Sequence, residues 1–413
     1  MFRPLRHALD QVVTTGYLRL IDAKGRAFAF GDLSGTPVVA RIADARTERR
    51  LFFNPALALG EAYMDGSLIM ERGAIYDFLD LLLSNLDYAH WPRWARSVET
   101  FRFAGRWLRQ FNPEPRARRN VERHYDLDRG LYELFLDSDR QYSCAYFEQE
   151  GMSLEEAQAA KKRHLAAKLN LRDGMKVLDV GSGWGGLALY LAKTAHVEVT
   201  GITLSEEQRK VAEDRARAEG LSNAVTFKLC DYRELEGQFD RIVSVGMFEH
   251  VGITHYRRFF ARIGELLTKD GVALLHSIGR FDGPASTNPF IDKYIFPGGY
   301  TPALSEVLTA IEKVGLWVTD MEILRLHYAE TLRHWRQRFL ANRERIKQLS
   351  GYDDRFCRMW EFYLAGCEVS FRYMNQMVFQ LQLTRKQDAV PLTRDYMLDA
   401  EKGITVTRSM AAE

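Results

Sequence analysis

A glycine-rich turn between an apolar strand and a helical run constrains the fold of this chain more than any other feature. Apolar residues lead into Asp179, then Gly181, Gly183 and Gly186 follow with the spacing G-x-G-x-x-G, and residues 187–192 have a helical pattern. Glycines let the backbone turn sharply and approach a ligand closely, and a helix N-terminus offers unpaired N–H groups. The segment therefore predicts a strand, a nucleotide-binding turn and a helix, with a turn that binds nothing as the alternative.

Strand and helix patterns alternate regularly from about residue 150. Ser153 followed by Glu156 is the signature of a capped helix start. The predicted strands are 176–180, 197–202, 224–229, 240–245 and 271–278, and the predicted helices are 153–169, 185–194, one from 205, 254–268, 304–314 and a long helical section 330–385. This alternation predicts an α/β fold with a doubly wound, mostly parallel, Rossmann-like sheet.

The first ninety residues predict a small α+β domain. Their patterns predict a helix at 2–15, hairpin strands at 17–21 and 27–30, a third strand at 37–42, and helices at 57–64 and 75–86.

Residues 91–123 are strongly basic and carry interleaved tryptophans. Nine arginines face three glutamates, and Trp91, Trp94 and Trp107 lie among them. One interpretation is a linker that contacts anionic lipid headgroups, with tryptophan at the interface. The other is a solvated linker helix whose arginines pair with acids elsewhere. No motif that reads DNA or RNA lies beside the segment, so we do not expect nucleic acid as a partner.

Composition argues against several other classes of protein. The 413 residues carry 57 Lys and Arg against 55 Asp and Glu, and a net charge of +2 indicates no particular partner. Four scattered cysteines without a C-x-x-C motif argue against a disulfide framework or a zinc site, so we expect no metal and a reducing cytoplasm. No signal peptide is visible, and the longest apolar run, around 79–86, is shorter than the ~20 residues that span a bilayer. We therefore expect a soluble or peripheral protein.

The residues that follow the predicted strands indicate a nucleotide other than NAD. The strand after the glycine turn leads into Thr203 without the acid that a dinucleotide site uses for its ribose. Asp231 and Tyr232 end the third strand and suit the edge and face of an adenine. Glu249 and His250 follow the fourth strand, where ligands of open α/β sheets bind.

Five motifs, in this order, resemble those of the cyclopropane-fatty-acyl-phospholipid synthase family. They are Y-S-C-A-Y-F at 142–147, L-D-V-G-S-G-W-G-G at 178–186, G-I-T-L-S at 201–205 with Gln208, V-G-M-F-E-H-V at 245–251 and L-L-H-S-I-G at 274–279. The resemblance runs from about residue 120 to the end, and G-E-A-Y-M-D-G at 60–66 resembles the small N-terminal domain of full-length members. It implies a methyltransferase sheet and an enzyme that uses S-adenosylmethionine on double bonds of membrane acyl chains.

The resemblance also implies two groups of site residues. S-adenosylmethionine would be held at its methionine part by Gly181, Gly183, Tyr142 and Ser143, near its ribose by Thr203 and Gln208, and at its adenine by Asp231 and Tyr232. A bicarbonate ion would be cradled by Cys144, Glu249, His276, Ile278 and Tyr328. From the residues alone, Cys144 also fits a buried small hydrophobe, Glu249 a helix-start acid and His276 a core histidine.

The implied reaction passes through a carbocation on the acyl chain, and aromatic side chains would stabilise this cation. Bicarbonate would then remove a proton from the transferred methyl group, which closes a cyclopropane ring. The aromatic candidates are Tyr146, Phe147, Phe248, Tyr294 and Phe296. The open alternatives are a methyl- or methylene-branched product, methylation of a small amine, and a lipid-binding protein without catalysis.

The expected organisation is a lipid-binding domain at 1–90, a linker at 91–123 and a catalytic domain with helical acyl-binding insertions at 124–413. The expected partners are unsaturated phospholipid acyl chains, the surface of the inner membrane and a second copy of the chain in a homodimer. The expected localisation is cytoplasmic, with peripheral binding to that membrane.

Overall fold

The computed structural model of the chain describes residues 1–86 and 129–410, with side chains up to residue 403. The basic segment 91–123, for which we predict a linker, lies outside the described residues.

The N-terminal unit is built around a four-stranded sheet with the order β2-β1-β3-β4. The strands β1 and β2 form the predicted antiparallel hairpin, and β3 runs parallel to β1. The elements of this unit are α1 (Arg3–Val12), β1 (Leu18–Ile21), β2 (Ala27–Phe30), β3 (Val38–Ile42), α2 (Ala45–Phe53), α3 (Pro55–Asp65), β4 (Leu68–Arg72) and α4 (Ile75–Ser84). Helix α2 and strand β4 were not predicted, and the other elements agree with the sequence patterns to within a few residues.

A seven-stranded sheet with the order β10-β11-β9-β8-β5-β6-β7 organises the rest of the described chain. Its strands are β5 (Lys176–Val180), β6 (Glu198–Thr203), β7 (Val225–Leu229), β8 (Phe239–Val245), β9 (Leu267–Arg280), β10 (Trp317–Leu324) and β11 (Gln376–Thr384). Strands β5 to β9 pair in parallel, and β11 runs antiparallel to both of its neighbours. The predicted α/β class with a mostly parallel sheet is confirmed.

Helices cover this sheet and begin where the capping signals predict. Ser153 accepts a hydrogen bond from the backbone N–H of Glu156, whose side chain bonds back to the N–H of Ser153. The helices are α5 (Arg129–Phe135), α6 (Leu154–Lys168), α7 (Gly186–Ala195), α8 (Glu206–Ala218), α9 (Tyr256–Leu266), α10 (Leu304–Glu312), α11 (His327–Ala341), α12 (Arg343–Lys347), α13 (Asp354–Tyr373) and α14 (Asp395–Met410). Short 3-10 turns span Phe248–His250 and Ile253–His255, and a π-helical turn spans Ile291–Ile295.

The prediction of one helical section over 330–385 is wrong at its end. Helix α13 ends at Tyr373, and residues 376–384 form β11, in which every residue after Gln376 is buried. All nine residues of β11 pair with β9, and most of them pair with β10 on the other side. Pairing on both sides decides the conformation of this segment, and the unpredicted strand β10 is one of the two partners.

The N-terminal unit and the sheet unit share one hydrophobic core. A single cluster of buried side chains includes Leu18 and Phe78 from the first unit and Trp335 and Leu364 from the second. Across this boundary, the Tyr63 hydroxyl donates to Glu361 Oε2 at 3.0 Å. None of the described helices is both long and apolar enough to cross a bilayer.

Candidate active site

A cavity of about 170 Å³ lies at the carboxyl ends of β5, β6, β7 and β8. This is the edge at which open α/β sheets bind their ligands. All eight residues predicted to hold the cofactor line it: Tyr142, Ser143, Gly181, Gly183, Thr203, Gln208, Asp231 and Tyr232. None of the five predicted anion-binding residues belongs to this lining, although Ser143 and His250, which do, adjoin Cys144 and Glu249 in the chain.

The glycine turn has the backbone conformation that the sequence predicts. Gly181 and Gly183 have φ values of +86° and +52°, in the region that side chains disfavour. A Cβ on Gly181 would lie 2.9 Å from the Met247 Cβ, whereas no described atom lies within 4 Å of a Cβ built on Gly183. The turn is therefore closed on one side by protein and open to the cavity at Gly183, which leaves room for a ligand close to the backbone.

Asp179 is a cavity-lining acid whose role the sequence analysis missed. It is buried at the end of β5, and its Oδ2 atom has no hydrogen-bond partner in the described structure. Burial raises the pKa of Asp179 to about 7, and the positive charge of Lys161 opposes this rise. The signal that would have found it is an acid at the end of an apolar strand, directly before the glycines.

Helix α6 holds the loop that carries Tyr142 and Ser143. The Lys161 ammonium donates to Gln141 Oε1 at 2.6 Å and to Ser143 Oγ at 2.8 Å. Lys161 is only 1% exposed, and burial lowers its pKa to about 8. This buried lysine was not predicted, because a lysine in a helical pattern usually faces solvent. On the other side of the loop, the hydroxyls of Tyr142 and Tyr363 are 2.8 Å apart.

The residues predicted for the ribose and adenine are already bonded to protein neighbours. Thr203 Oγ1 donates to Gln208 Oε1 at 2.9 Å, which fixes the amide at the start of α8. Asp231 accepts from Arg233 through both oxygens, with Nε to Oδ1 at 2.8 Å. The Tyr232 ring packs on Phe259 with centroids 5.2 Å apart. The sequence analysis did not identify Arg233, whose bidentate bond holds the Asp231 carboxylate in place.

Glu249 and Ile278, two of the predicted anion-binding residues, are hydrogen-bonded to each other. The Ile278 N–H donates to Glu249 Oε1 at 2.7 Å, and Oε2 is buried without a hydrogen-bond partner in the described part of the chain. Burial raises the pKa of Glu249 to about 7. The residue as a whole keeps some exposure, but its carboxylate lies in the interior.

His276 lies two residues before Ile278 on β9 and bonds to the neighbouring strand. Its Nδ1 atom is 3.1 Å from Gln380 Nε2. Burial lowers the pKa of His276 well below its usual value, so the ring is neutral. With the amide assigned as the donor, Nδ1 accepts and the ring proton resides on Nε2.

Cys144 and Tyr328 are connected through helix α11. The Ala145 N–H donates to Thr331 Oγ1 at 3.0 Å, and Tyr328 precedes Thr331 by about one helical turn. Burial raises the pKa of the Cys144 thiol, which donates to its neighbour's carbonyl oxygen. Cys144 is therefore a neutral thiol, and its site role remains a prediction.

Aromatic rings continue from the cavity into the helical part. His250 lines the cavity, and burial lowers its pKa to about 4. Its ring lies 5.9 Å from Phe296, which lies 5.9 Å from Tyr363. Phe248, predicted as a lining aromatic, is instead fully buried in the core, where its ring centroid lies 4.4 Å from that of Tyr256. The strand end turns Phe248 into the core and His250 toward the cavity.

The remaining three aromatic candidates already contact protein groups. Tyr146 stacks on His164 and His327, and Phe147 stacks on His334. The Tyr294 hydroxyl donates to Glu61 at 2.8 Å.

Known proteins are similar to this chain along most of its length. A family model described as mycolic acid cyclopropane synthetase matches residues 113–381. The cyclopropane-fatty-acyl-phospholipid synthase of Escherichia coli K12 is 39% identical over 349 residues, which cover 84% of this chain and 88% of that protein. The tuberculostearic acid methyltransferase UfaA1 of Mycobacterium tuberculosis H37Rv is 35% identical over 385 residues, which cover 89% and 88%. The solved structure of mycolic acid cyclopropane synthase CmaA1 complexed with SAH and CTAB is 34% identical, with a TM-score of 0.61 over 66% of this chain and 99% of that chain.

Proposed function

This chain belongs to the mycolic acid cyclopropane synthetase family, and we propose that it builds cyclopropane rings on phospholipid acyl chains. As an S-adenosylmethionine-dependent methyltransferase, it would transfer a methylene unit to a cis double bond. One observation carries the proposal: the buried carboxylate of Glu249 keeps one oxygen unbonded among the described residues, and the next residue in the chain, His250, lines the cofactor cavity. The proposed reaction requires such a group, because ring closure needs a buried base system that removes a proton from carbon.

The groups that line the cavity suit the chemistry of S-adenosylmethionine. Gly183 leaves the backbone open to a ligand, and the unbonded Oδ2 of Asp179 offers an acceptor for its ammonium group or ribose hydroxyls. Tyr142 and Ser143 would close over the methionine part, and Thr203 with Gln208 would face the ribose. When bound, the cofactor supplies an electrophilic methyl group on a positively charged sulfur, which an isolated alkene needs because it is a poor nucleophile.

The chain's own aromatic residues would stabilise the cation that forms on the acyl chain. A cation over an aromatic face in a desolvated site gains about 2 kcal/mol. Phe296, Tyr363 and Tyr142 form a continuous aromatic series that begins beside His250. Neutral His250 adds no positive charge, since its pKa of about 4 keeps it unprotonated at pH 7. Phe248, which we predicted among the aromatic residues around the cation, does not belong to this series.

A small oxyanion fits the residues behind the cavity. Glu249 Oε2 would accept the hydroxyl proton of bicarbonate, and neutral His276 would donate through Nε2–H. Ile278 already donates to Glu249 and so orients its carboxylate. Bound bicarbonate would supply a base small enough to enter an apolar slot, and Cys144 and Tyr328 complete the proposed cradle. The buried ammonium of Lys161 provides positive charge near Cys144 and His276.

A branched product is the second candidate. The relative UfaA1, 35% identical over 89% of this chain, is described as a tuberculostearic acid methyltransferase. The site gives a ring when the base removes a proton from the new methyl group before the cation rearranges. A methylene branch forms when a 1,2-hydride shift first moves the charge to the methyl-bearing carbon and the base then removes a proton from the methyl group, and a saturated methyl branch also needs hydride and a proton from an external reductant. The position and orientation of the base therefore decide between a ring and a branch.

A direct test is to incubate the purified protein with S-adenosylmethionine and vesicles of a dioleoyl phospholipid. We expect acyl chains that gain CH2 without losing an unsaturation equivalent and show the high-field proton resonances of a cyclopropane. New terminal =CH2 protons in place of the internal olefinic protons indicate a methylene branch, and a gain of CH2 plus two hydrogens, in a parallel incubation with an added hydride donor, indicates a saturated methyl branch. Transfer to amines with no change in the acyl chains would overturn the proposal. Peripheral membrane association and a homodimer are further proposals, which vesicle sedimentation and light scattering test.

A further inference from the structure

A second cavity, of about 530 Å³, lies between α2 and α3 in the N-terminal unit. We call it the arginine cavity. Its lining is formed by Ala45, Arg46, Arg49, Arg50, Phe53, Asn54, Leu57, Ala58 and Glu61. None of these residues belongs to the cofactor cavity.

The three arginines lie on one face of α2, since residues three and four apart on a helix are neighbours. Arg50 forms an ion pair with Glu61, the single acidic residue of the lining. Arg46 and Arg49 are exposed, and within residues 1–86 and 129–403 neither has an acidic side chain within 4.0 Å. Asp44 and Glu48 each lie two residues from Arg46 in the chain, but Asp44 caps α2 and Glu48 accepts from the backbone N–H groups of Phe2 and Ala23. Two guanidinium groups therefore remain available to an anion.

The rim of the arginine cavity is apolar. Phe53 is 65% exposed and belongs to an aromatic group with Phe2 and Phe52. Half-buried Leu57 on α3 also belongs to the lining. An exposed aromatic ring beside unpaired arginines is the pattern of surfaces that bind at the headgroup level of a bilayer. Arginine also binds phosphate oxygens in a bidentate manner.

The arginine cavity is joined to the catalytic half of the chain through Glu61. Its Oε1 atom accepts from Lys293 Nζ at 2.7 Å and from the Tyr294 hydroxyl at 2.8 Å. Both donors lie on the π-helical turn, which is followed by Phe296 beside His250. A ligand held by Arg46 and Arg49 would therefore sit next to a segment that leads directly to the cofactor cavity.

We propose that the arginine cavity binds the phosphodiester of an anionic glycerophospholipid headgroup through Arg46 and Arg49. This inference rests on the proposed function, because it supplies that enzyme with a contact to its lipid substrate. The exposed Phe53 ring would enter the interface beside the bound headgroup.

The test is sedimentation of the full-length protein with vesicles of phosphatidylcholine, with and without phosphatidylglycerol. We expect the double variant Arg46→Gln, Arg49→Gln to bind the phosphatidylglycerol vesicles about a hundredfold more weakly, since the loss of each hydrogen-bonded guanidinium costs about one factor of ten. The control Lys210→Gln, Arg217→Gln removes the same charge from the exposed face of α8 and should bind like the wild type. Circular dichroism checks that each variant is folded.

Three results would overturn the inference. An equal loss in the α8 control would show a general charge effect. Full binding by Arg46→Lys, Arg49→Lys would show that positive charge suffices without a bidentate site. The third result is that the wild type binds inorganic phosphate in calorimetry and the double variant does not, while both bind the vesicles equally. This result would identify a site for free phosphate. Sedimentation requires no turnover, so a failure to form cyclopropanes leaves these readings intact and tests the proposed function separately.

Discussion

Replacing Glu249 with Gln should stabilise the folded protein at high pH and remove its activity. Burial raises the pKa of this carboxyl group from 4.5 to about 7. Each tenfold change in acid dissociation is worth about 1.4 kcal/mol, so keeping the ionised carboxylate folded costs about 3 kcal/mol. Glutamine has the same shape and no charge, and it keeps the oxygen that accepts from the Ile278 N–H.

The sign of the effect defines the pH window. Below pH 4.5 the carboxyl group is protonated in both the folded and the unfolded chain, so it contributes no difference. Between pH 4.5 and 7 the folded protein keeps a proton that the unfolded chain has lost, and the stability contributed by the group falls as pH rises. Above pH 7 the cost is complete. The variant should therefore match the wild type near pH 4.5 and exceed it by about 3 kcal/mol at pH 8.

Urea unfolding at pH 5 and pH 8 measures the free energy of unfolding of both proteins. The exposed Glu236→Gln variant is the matched control and should follow the wild type at both values. Turnover of Glu249→Gln should fall at least a hundredfold, as expected for loss of a proton-handling group, while calorimetry shows unchanged cofactor binding. Equal stability of variant and wild type at pH 8 would refute the buried charge, and unchanged turnover would remove Glu249 from the mechanism.

Two further substitutions test the supports of the cavity. Lys161→Met removes the ammonium that holds Gln141 and Ser143, so calorimetry should show at least tenfold weaker binding of S-adenosylmethionine. The control variant Lys193→Met changes an exposed lysine and should leave this affinity unchanged. Gly201→Ala places a Cβ 2.6 Å from the Phe227 ring and should lower the free energy of unfolding by about 1–3 kcal/mol. Gly366→Ala in α13 meets no neighbouring described group within 4 Å of the new Cβ, and it should raise the free energy of unfolding by about 0.5–1 kcal/mol.

Local chemistry made much of the fold predictable. The glycine turn and the caps at Ser153 and Ser205 depend on residues within a few positions of each other, and each is found where the sequence places it. The edge of the sheet on which the cofactor residues meet was also predictable, because the carboxyl ends of parallel strands adjoin. These features need no knowledge of distant contacts.

Features that depend on tertiary packing were missed. Strand β11 is defined by its pairing with β9 and β10, and β10 ends at Leu324, far before β11 begins at Gln376, so no local pattern indicates the pairing. Lys161 and Phe248 show the same limit for side chains: the lysine is buried because the 141–143 loop covers it, and the phenylalanine turns into the core because α9 offers rings to pack against. Neither neighbour can be identified from the adjacent sequence.

The shared core gives the N-terminal unit a mechanical role in the proposed reaction. Tyr63 bonds to Glu361 on α13, and Glu61 bonds to Tyr294 on the π-helical turn, so α3 is fixed to the catalytic half at two separate points. Gly60 adds a third, because a Cβ there would lie 2.3 Å from the Phe290 ring. A headgroup bound beside α2, as we propose, would therefore be held in one position relative to the cofactor cavity. Such fixed placement is what an enzyme needs if it is to draw one acyl chain out of a bilayer and present its double bond in a single orientation.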